Sequence, residues 1–382
     1  MKITGGCYCK EIRYEAEGEP LMRGLCHCRE CQYSSGGAAN VALAMPVSGF
    51  RYTAGEPKSF QRSDLESPVK RQFCGDCGTS LSSLPPGLPD MIILKVGTLD
   101  DPTQYGQPDM AFYCIEKLEW DGDRIAILTF TDAPRFNQVS WAAIDALAEQ
   151  LKSCRESGAR VLVLASGLPG HWLEHAWLRD LSNGVQGLEQ TGSGAGWFGA
   201  LEELSHESVI SIAAISGDCS GGGAELGWAC DLRVAEAQAL FSQPEVNMGL
   251  TTGIGGSSRL ARLAGRSAAS EMVLTGRPMS AQRLYDLGAI NQVVSNGQAL
   301  KEALTLAHLM AAKPPAAIAG LKQILAVNDD ATLNEALRHE QAVFQSVVVT
   351  EEAREGMEQT QSQYDTGRSI AEVNNYDDWN NR

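Results

Sequence analysis

Two glutamates sit where a proton could be moved beside a growing negative charge. Glu225 follows a glycine triplet in Ser216-Gly-Asp-Cys-Ser-Gly-Gly-Gly-Ala-Glu, and Glu245 lies in Phe241-Ser-Gln-Pro-Glu-Val-Asn-Met-Gly, with Gly253, Gly255 and Gly256 close behind. Glycine lets a reacting atom approach a backbone N–H closely. Paired carboxylates beside such amides suit acid–base chemistry next to a developing oxyanion. A second chemistry is written in cysteine: seven of the eleven fall in the first 77 residues, as Cys7-x-Cys9, Cys26-His-Cys-Arg-Glu-Cys31 and Cys74-Gly-Asp-Cys77. The chain opens Met1-Lys-Ile-Thr-Gly-Gly-Cys, with no apolar leader core, and in that setting clustered thiols read as metal ligands before disulfides. Cys7, Cys9, Cys74 and Cys77 can close a tetrahedral four-thiolate zinc site. Cys26, Cys28 and Cys31 offer three thiolates and an open fourth position, expected either of a catalytic or substrate-binding zinc or of a degenerate, purely structural second site. His27, between two of these ligands, is expected to face solvent, and Cys114 to be a core residue.

The elements that must position these groups come in two styles. Around the cysteines the chain alternates in short strand-like runs such as Glu11-Ile-Arg-Tyr-Glu-Ala-Glu. Asp121-Gly-Asp marks a turn into the strand Arg124-Ile-Ala-Ile-Leu-Thr-Phe, so the junction is expected at 118/119, with domains 1–118 and 119–382 held close because no flexible linker separates them. Beyond it, strands and helices alternate: a helix over 141–156, a strand over 159–165, a loop at Gly167-Leu-Pro-Gly and a helical stretch through Leu181. Residues 183–199, rich in Gly, Ser and Gln, read as a mobile loop. A strand at 209–215, the glycine triplet and a helix from Glu225 repeat the pattern, which predicts an α/β fold of ββα units. Helices dominate from Ser257, and the last dozen residues read as a polar tail.

Composition narrows the partners. The net charge of −16, with no basic stripe to offset it, argues against nucleic acid and anionic membrane. The acidity is uneven: residues 1–118 hold 12 basic and 14 acidic groups, residues 119–382 hold 19 and 33, as two different modules would. No apolar run approaches the roughly 18 residues of a membrane span, and the chain is expected to be cytoplasmic.

Residues 3–118 resemble the glutathione-dependent formaldehyde-activating enzymes and related centromere-protein-V-like proteins. Gly5-Gly-Cys-Tyr-Cys-Lys-Glu-Ile-Arg-Tyr, Cys26-His-Cys-Arg-Glu-Cys, Phe73-Cys-Gly-Asp-Cys-Gly-Thr-Ser-Leu and Gly97-Thr-Leu-Asp-Asp-Pro carry the likeness. It implies a small, mostly-β zinc-binding domain with one structural and one further zinc, acting as a carbon–sulfur lyase on glutathione or another thiol–aldehyde adduct. Where the family commonly has His before its last strand, this chain has Met110-Ala-Phe-Tyr.

Residues 119–360 resemble the crotonase (enoyl-CoA hydratase/isomerase) superfamily through the two glutamate segments, Cys230-Asp-Leu-Arg-Val-Ala, Gly255-Gly with Arg259-Leu, and Leu274-Thr-Gly-Arg-Pro-Met-Ser-Ala. The resemblance implies an acyl-CoA or carrier-protein thioester as substrate, a trimer or hexamer, and a helical C-terminal part. It further implies an oxyanion hole of the Gly222 and Ala176 amides, water activation mainly by Glu225 and α-protonation mainly by Glu245. Both glutamates favour a hydratase, with isomerase or another crotonase activity as the alternative. Arg135 fits the family's CoA-binding basic position. Glu174-His-Ala-Trp replaces the usual Ala-Gly-Ala-Asp, so Glu174, His175 and Trp177 are expected to shape an unusual acyl pocket. The family's basic stretch after Gly-Met is replaced by Glu358-Gln-Thr-Gln-Ser-Gln-Tyr.

Overall fold

The structure, a computed structural model, describes the whole chain except residues 27–28, 37–38, 66–67, 107–109, 113–114, 123, 329 and 375–382. The expectations for His27, Cys28, Cys114 and most of the tail therefore fall outside the described residues.

Short alternating runs build the N-terminal unit. Strands β1 (Lys2–Gly6), β2 (Arg13–Glu17) and, later in the chain, Phe50–Ala54 form an antiparallel three-stranded sheet. A seven-stranded sheet packs with it and includes β3 (Met22–Cys26) and β4 (Asn40–Pro46), with the short helix α1 (Arg29–Ser35) between them. Period-two burial, as in β1 and β2, turns Ile3, Tyr14 and Ala16 into a core shared with Leu43, Met45, Leu81 and Leu94. The unit's last strand, Met110–Phe112, pairs parallel with β3.

The next strand, Ile115–Asp121, already belongs to the second unit, as the antiparallel neighbour of Ile125–Phe130. From there three parallel strands follow in sheet order, Val161–Ser166, Ile210–Ile215 and Leu232–Glu236, ending on Gln292–Val294. Their near-continuous burial is what a parallel sheet covered on both faces requires. Each of the three parallel strands is followed by a short one, Gly170–His171, Gly217–Ser220 and Leu240–Ser242, which form a second, four-stranded sheet with Met279–Ser280. These are the expected ββα units. The helices from Ser258 to Asp365 make the expected helical C-terminal part, whose last long member, Glu351–Asp365, the sequence reading did not resolve. Leu25 of β3 packs against the main core of this second unit. Among the described residues no helix is long and apolar enough to cross a membrane.

Two local readings change. The helix bearing Glu225, α2 (Gly221–Ala229), starts at the triplet itself, which puts Glu225 one turn inside it. Nor is 183–199 one open loop: a helix runs Leu178–Gln186, and α3 (Gly196–Ser205) follows. The connection between them is tied down. Asp180 accepts the Thr191 amide (2.8 Å) and hydroxyl (2.6 Å), and Asp145 accepts the amides of Ser193 (2.7 Å) and Gly196 (2.8 Å).

Candidate active site and metal cluster

Three chain segments meet at the start of α2. Leu173 O accepts from Ser220 N (3.3 Å), Glu174 O from Gly223 N (3.1 Å), and Ser220 Oγ from His175 N (3.1 Å), so residues 173–175 are zipped onto the strand–helix turn. This close approach explains the glycines. A Cβ at Gly223 would lie 2.1 Å from Leu173 O, one at Gly222 2.7 Å from the Trp197 ring, and Gly221 carries φ +47°. Gly222 is the second residue of α2, where helix N–H groups have no intrahelical acceptor. Ala176 bridges Val139, whose N–H goes to His175 O (3.0 Å) and whose carbonyl takes Trp177 N–H (2.9 Å), which turns the Ala176 N–H away from Val139.

The carboxylates are placed by backbone and by a buried amide. Glu225 is 3% exposed, and its Oε1 accepts the amides of Ile254 (3.0 Å) and Gly256 (2.7 Å), the use to which the second glycine cluster is put. Glu245 lies against Gly221, whose Cβ would come within 3.4 Å of its Oε1 and within 2.7 Å of His175 Cβ. Buried Gln243 accepts the Trp228 indole N–H (3.1 Å) and donates to Glu245 Oε1 (2.9 Å), a contact the sequence reading missed. Burial raises the Glu245 carboxyl above the ordinary carboxylate range; its own backbone amide opposes this and the charge of Glu225 adds to it. The structure thus gathers Gly222, Glu225, Glu245 and His175 around one helix start, with Ala176 on the adjoining loop segment.

The other sequence candidates lie differently. Arg135 is turned inward at 6% exposure, paired with Asp132 (2.9 Å) and stacked over the Trp177 ring at 4.6 Å. At the position the sequence marks for CoA, the guanidinium is thus enclosed by an aspartate and an indole. Arg179 also lies over the Trp177 ring, at 5.7 Å. The Glu174 carboxylate accepts the Ser220 hydroxyl and pairs with His171 Nδ1 at 2.9 Å, while His175 Nδ1 meets Ala176 O at 2.8 Å. The loop behind them hangs on buried Asn137, which bonds Trp172 O (2.6 Å) and Ser166 Oγ (2.9 Å) from a left-handed backbone (φ +58°).

In the N-terminal unit, the sulfurs of Cys7, Cys9, Cys74 and Cys77 all lie within 4.8 Å of one another, with Cys7–Cys9 at 3.4 Å and Cys9–Cys74 at 3.6 Å. Zinc–thiolate bonds of about 2.3 Å in a tetrahedron give sulfur spacings close to these. Two tight turns make the cluster: Lys10 N bonds Cys7 O (3.0 Å) at φ +68°, and Gly78 N bonds Cys74 O (3.0 Å) at φ +73°. The Thr79 hydroxyl and amide hold the Cys77 thiol down at about 5; against the pull of the Glu11 amide, the neighbouring sulfurs push Cys9 up to about 12. Four thiols packed this closely cannot all ionise without a cation among them, which is the donor set of a metal site. Of the second trio, Cys26 and Cys31 line a cavity of about 530 Å³ that also presents Lys95 and Asn40.

The fold and this site define an α/β enzyme of ββα units with paired acids at a glycine-built helix start, fused to a β domain with a four-cysteine cluster. Residues 121–365 match the family model for enoyl-CoA hydratase/isomerase, and the chain belongs to that family as an enzyme of hydratase/isomerase type; residues 2–116 match the model for glutathione-dependent formaldehyde-activating enzyme. A "Probable enoyl-CoA hydratase" of Rhizobium meliloti (strain 1021) is 32% identical over 61% of this chain and 90% of its own length. The 2,3-dehydroadipyl-CoA hydratase of Escherichia coli (strain K12) is 38% identical over 38% of this chain and 57% of its own. Among solved structures, the enoyl-CoA hydratase subunit I of Geobacillus kaustophilus HTA426 superposes with a TM-score of 0.60 at 28% identity, covering 66% of this chain and 96% of that one.

Proposed function

We propose that the second unit hydrates 2-enoyl thioesters, acyl-CoA being the substrate form the family suggests. The observation that carries this is the presence of two carboxylates at one helix start, one anchored by two amides and one held in a partly apolar setting with a raised proton affinity. The thioester oxygen sits between the amides of Gly222 and Ala176, which stabilise the enolate as charge develops on it. Glu225, its Oε1 taken by Ile254 and Gly256, uses Oε2 to accept a proton from water as that water attacks the β carbon. Glu245, at whose carboxyl burial favours the protonated form, gives its proton to the α carbon. The same pair could shift a double bond instead, so isomerisation is the alternative within this site. Family likeness suggests a homotrimer or hexamer.

A decisive test follows loss of enoyl-thioester absorbance with a panel of 2-enoyl-CoAs. We expect turnover by wild type and a loss of roughly 10²–10⁴-fold in kcat for Glu225→Gln and for Glu245→Gln. No turnover, or turnover insensitive to both changes, overturns the reading.

For the N-terminal unit, Cys7, Cys9, Cys74 and Cys77 would hold a structural zinc. The cavity shared by Cys26 and Cys31 favours a second reading, in which Cys28 joins them at another zinc and the unit acts as a carbon–sulfur lyase on a glutathione–aldehyde or similar thiol adduct. A bound zinc would supply Lewis-acid activation there. Zinc content distinguishes the cases: two per chain falling to one in Cys28→Ser supports the second site, and one in both refutes it.

A further inference from the structure

A single peptide unit ties the segment bearing Ala176 to the helix start bearing Gly222, and side chains that the catalytic scheme does not use hold it there. The unit between Glu174 and His175 has both ends on the start of α2. Its carbonyl takes Gly223 N–H (3.1 Å), and its N–H goes to Ser220 Oγ (3.1 Å). Gly223 adjoins Gly222, and His175 adjoins Ala176. On its other side the segment hangs on residues 137–139: Glu174 N donates to Asn137 O (3.0 Å) and Val139 N to His175 O (3.0 Å). The spacing of the Gly222 and Ala176 amides is therefore set across this one unit.

Ser220 is aimed at the His175 N–H by Glu174. A hydroxyl carries one proton, and the direction of that proton decides where its lone pairs face. The Ser220 proton goes to Glu174 Oε2, since a carboxylate only accepts. Glu174 Oε1 meets His171 Nδ1 at 2.9 Å, from the short strand Gly170–His171 that pairs with Gly217–Ser220. Ser220 is 8% exposed and the Glu174 side chain 15%, so water competes little for their bond. A chain of bonds thus runs from His171 through Glu174 and Ser220 to the backbone beside Ala176.

We infer that Glu174 and Ser220 are positioning residues for the oxyanion hole, holding the Ala176 amide at its distance from Gly222, with His171 fixing the Glu174 carboxylate; the inference rests on the enoyl-thioester reading above. Neither side chain need touch the reacting atoms. They act on rate because both donors must meet the oxygen as charge develops on it, and a misplacement of about 1 Å can cost about 10²-fold.

The test compares wild type with Ser220→Ala, Glu174→Ala, Glu174→Gln and the double alanine variant, each checked by thermal unfolding. Three readouts are taken: kcat and KM on crotonyl-CoA; affinity for butanoyl-CoA, on which no charge develops; and the near-ultraviolet enolate band of acetoacetyl-CoA, whose acidic α carbon can ionise on binding without hydration. Each single alanine change should lower kcat roughly 10–100-fold and weaken the enolate band, with KM and butanoyl-CoA affinity moved by less than about threefold. The double variant should lose no more than either single one, because the two act through one chain of bonds. Glu174→Gln, which keeps an acceptor for the Ser220 hydroxyl, should recover most of the loss. Unchanged kcat and enolate band in the alanine variants, or kcat and butanoyl-CoA affinity falling together with thermal stability, overturns the proposal and leaves the hydratase reading standing. An enolate band that depends on Glu174, in a protein that hydrates no 2-enoyl-CoA, sustains the proposal and sinks the hydratase reading. Absence of both binding and turnover in wild type sinks both.

Discussion

The cysteine cluster and the carboxylate pair are built on opposite principles. The four sulfurs come from two tight turns and lie within 4.8 Å of one another. Of the carboxylates, Glu245 has Gln243 two residues away and Glu225 has its partners far along the chain. Glu225 is held by amides about thirty residues away, and the helix start it serves is zipped to a segment nearly fifty residues earlier. A site made of side chains can be read from spacing; a site made of backbone N–H groups exists only once remote segments have docked.

The largest way to sharpen this contrast is to remove the metal for which the cysteine cluster is shaped. Cys77→Ser, or a strong chelator, should strip zinc and unfold the N-terminal unit, since structural zinc in small domains contributes on the order of 10 kcal/mol of folding free energy. Metal analysis with thermal unfolding should show the first transition lost and enoyl-CoA turnover by the second unit retained. A cluster that loses its metal with no change in unfolding would not be the unit's organising element.

The second unit should fail through its backbone. Gly223→Ala would push a methyl to 2.1 Å from Leu173 O and part the segment bearing Ala176 from the one bearing Gly222. Losing one oxyanion donor typically costs 10²–10³ in kcat, and that is the loss expected, with KM changed far less. Gly356→Ala, a helical glycine with nothing within 4 Å of the added carbon, is the matched control and should leave kcat where it is.

What was legible in the sequence follows the same division. Apolar periodicity marked the helix Trp141–Glu156 to the residue, and strand patterns marked most of the parallel sheet. The motifs pointed at Gly222, Glu225 and Glu245 because glycine and carboxylate leave local signatures. The start of α2 was misplaced by four residues because glycine is a poor helix former, and here close packing overrides propensity. Residues 187–195 looked mobile because small polar residues carry no periodicity, yet Asp145 and Asp180 hold them from over ten to fifty residues away. Arg135 was marked only as a basic residue at the CoA position, because nothing local announces that Asp132 and Trp177 enclose it.

Those carboxylate clamps give the next, smaller effect. Asp180 is fully buried and accepts Thr191 N, Thr191 Oγ1 and Trp141 N, the last at 2.7 Å. Asp180→Ala leaves these donors without their acceptor at about 1–3 kcal/mol each, so a destabilisation of about 3–5 kcal/mol is expected once local water compensates in part. Denaturant unfolding monitored on the second unit measures it. A change below about 1 kcal/mol would mean that the segment before α3 is held by its own packing.

The finest test concerns a side chain that hydrogen-bonds a carboxylate of the pair. Gln243 donates to Glu245 Oε1, which favours the ionised carboxyl, while burial favours the protonated form and dominates. If Glu245 acts as the acid, kcat falls as pH rises through its pKa, because the proton is gone before it can be delivered. Gln243→Leu removes a donor from the anion, so the pKa rises further and the falling limb moves to higher pH. A hydrogen bond worth about 0.5–1.5 kcal/mol corresponds to a displacement of about half to one pH unit. A kcat–pH profile on a saturating 2-enoyl-CoA reads it directly. Displacement of the rising, low-pH limb to higher pH with the falling limb left in place would show that Glu245 is used as its carboxylate, and would exchange the roles given to the two glutamates.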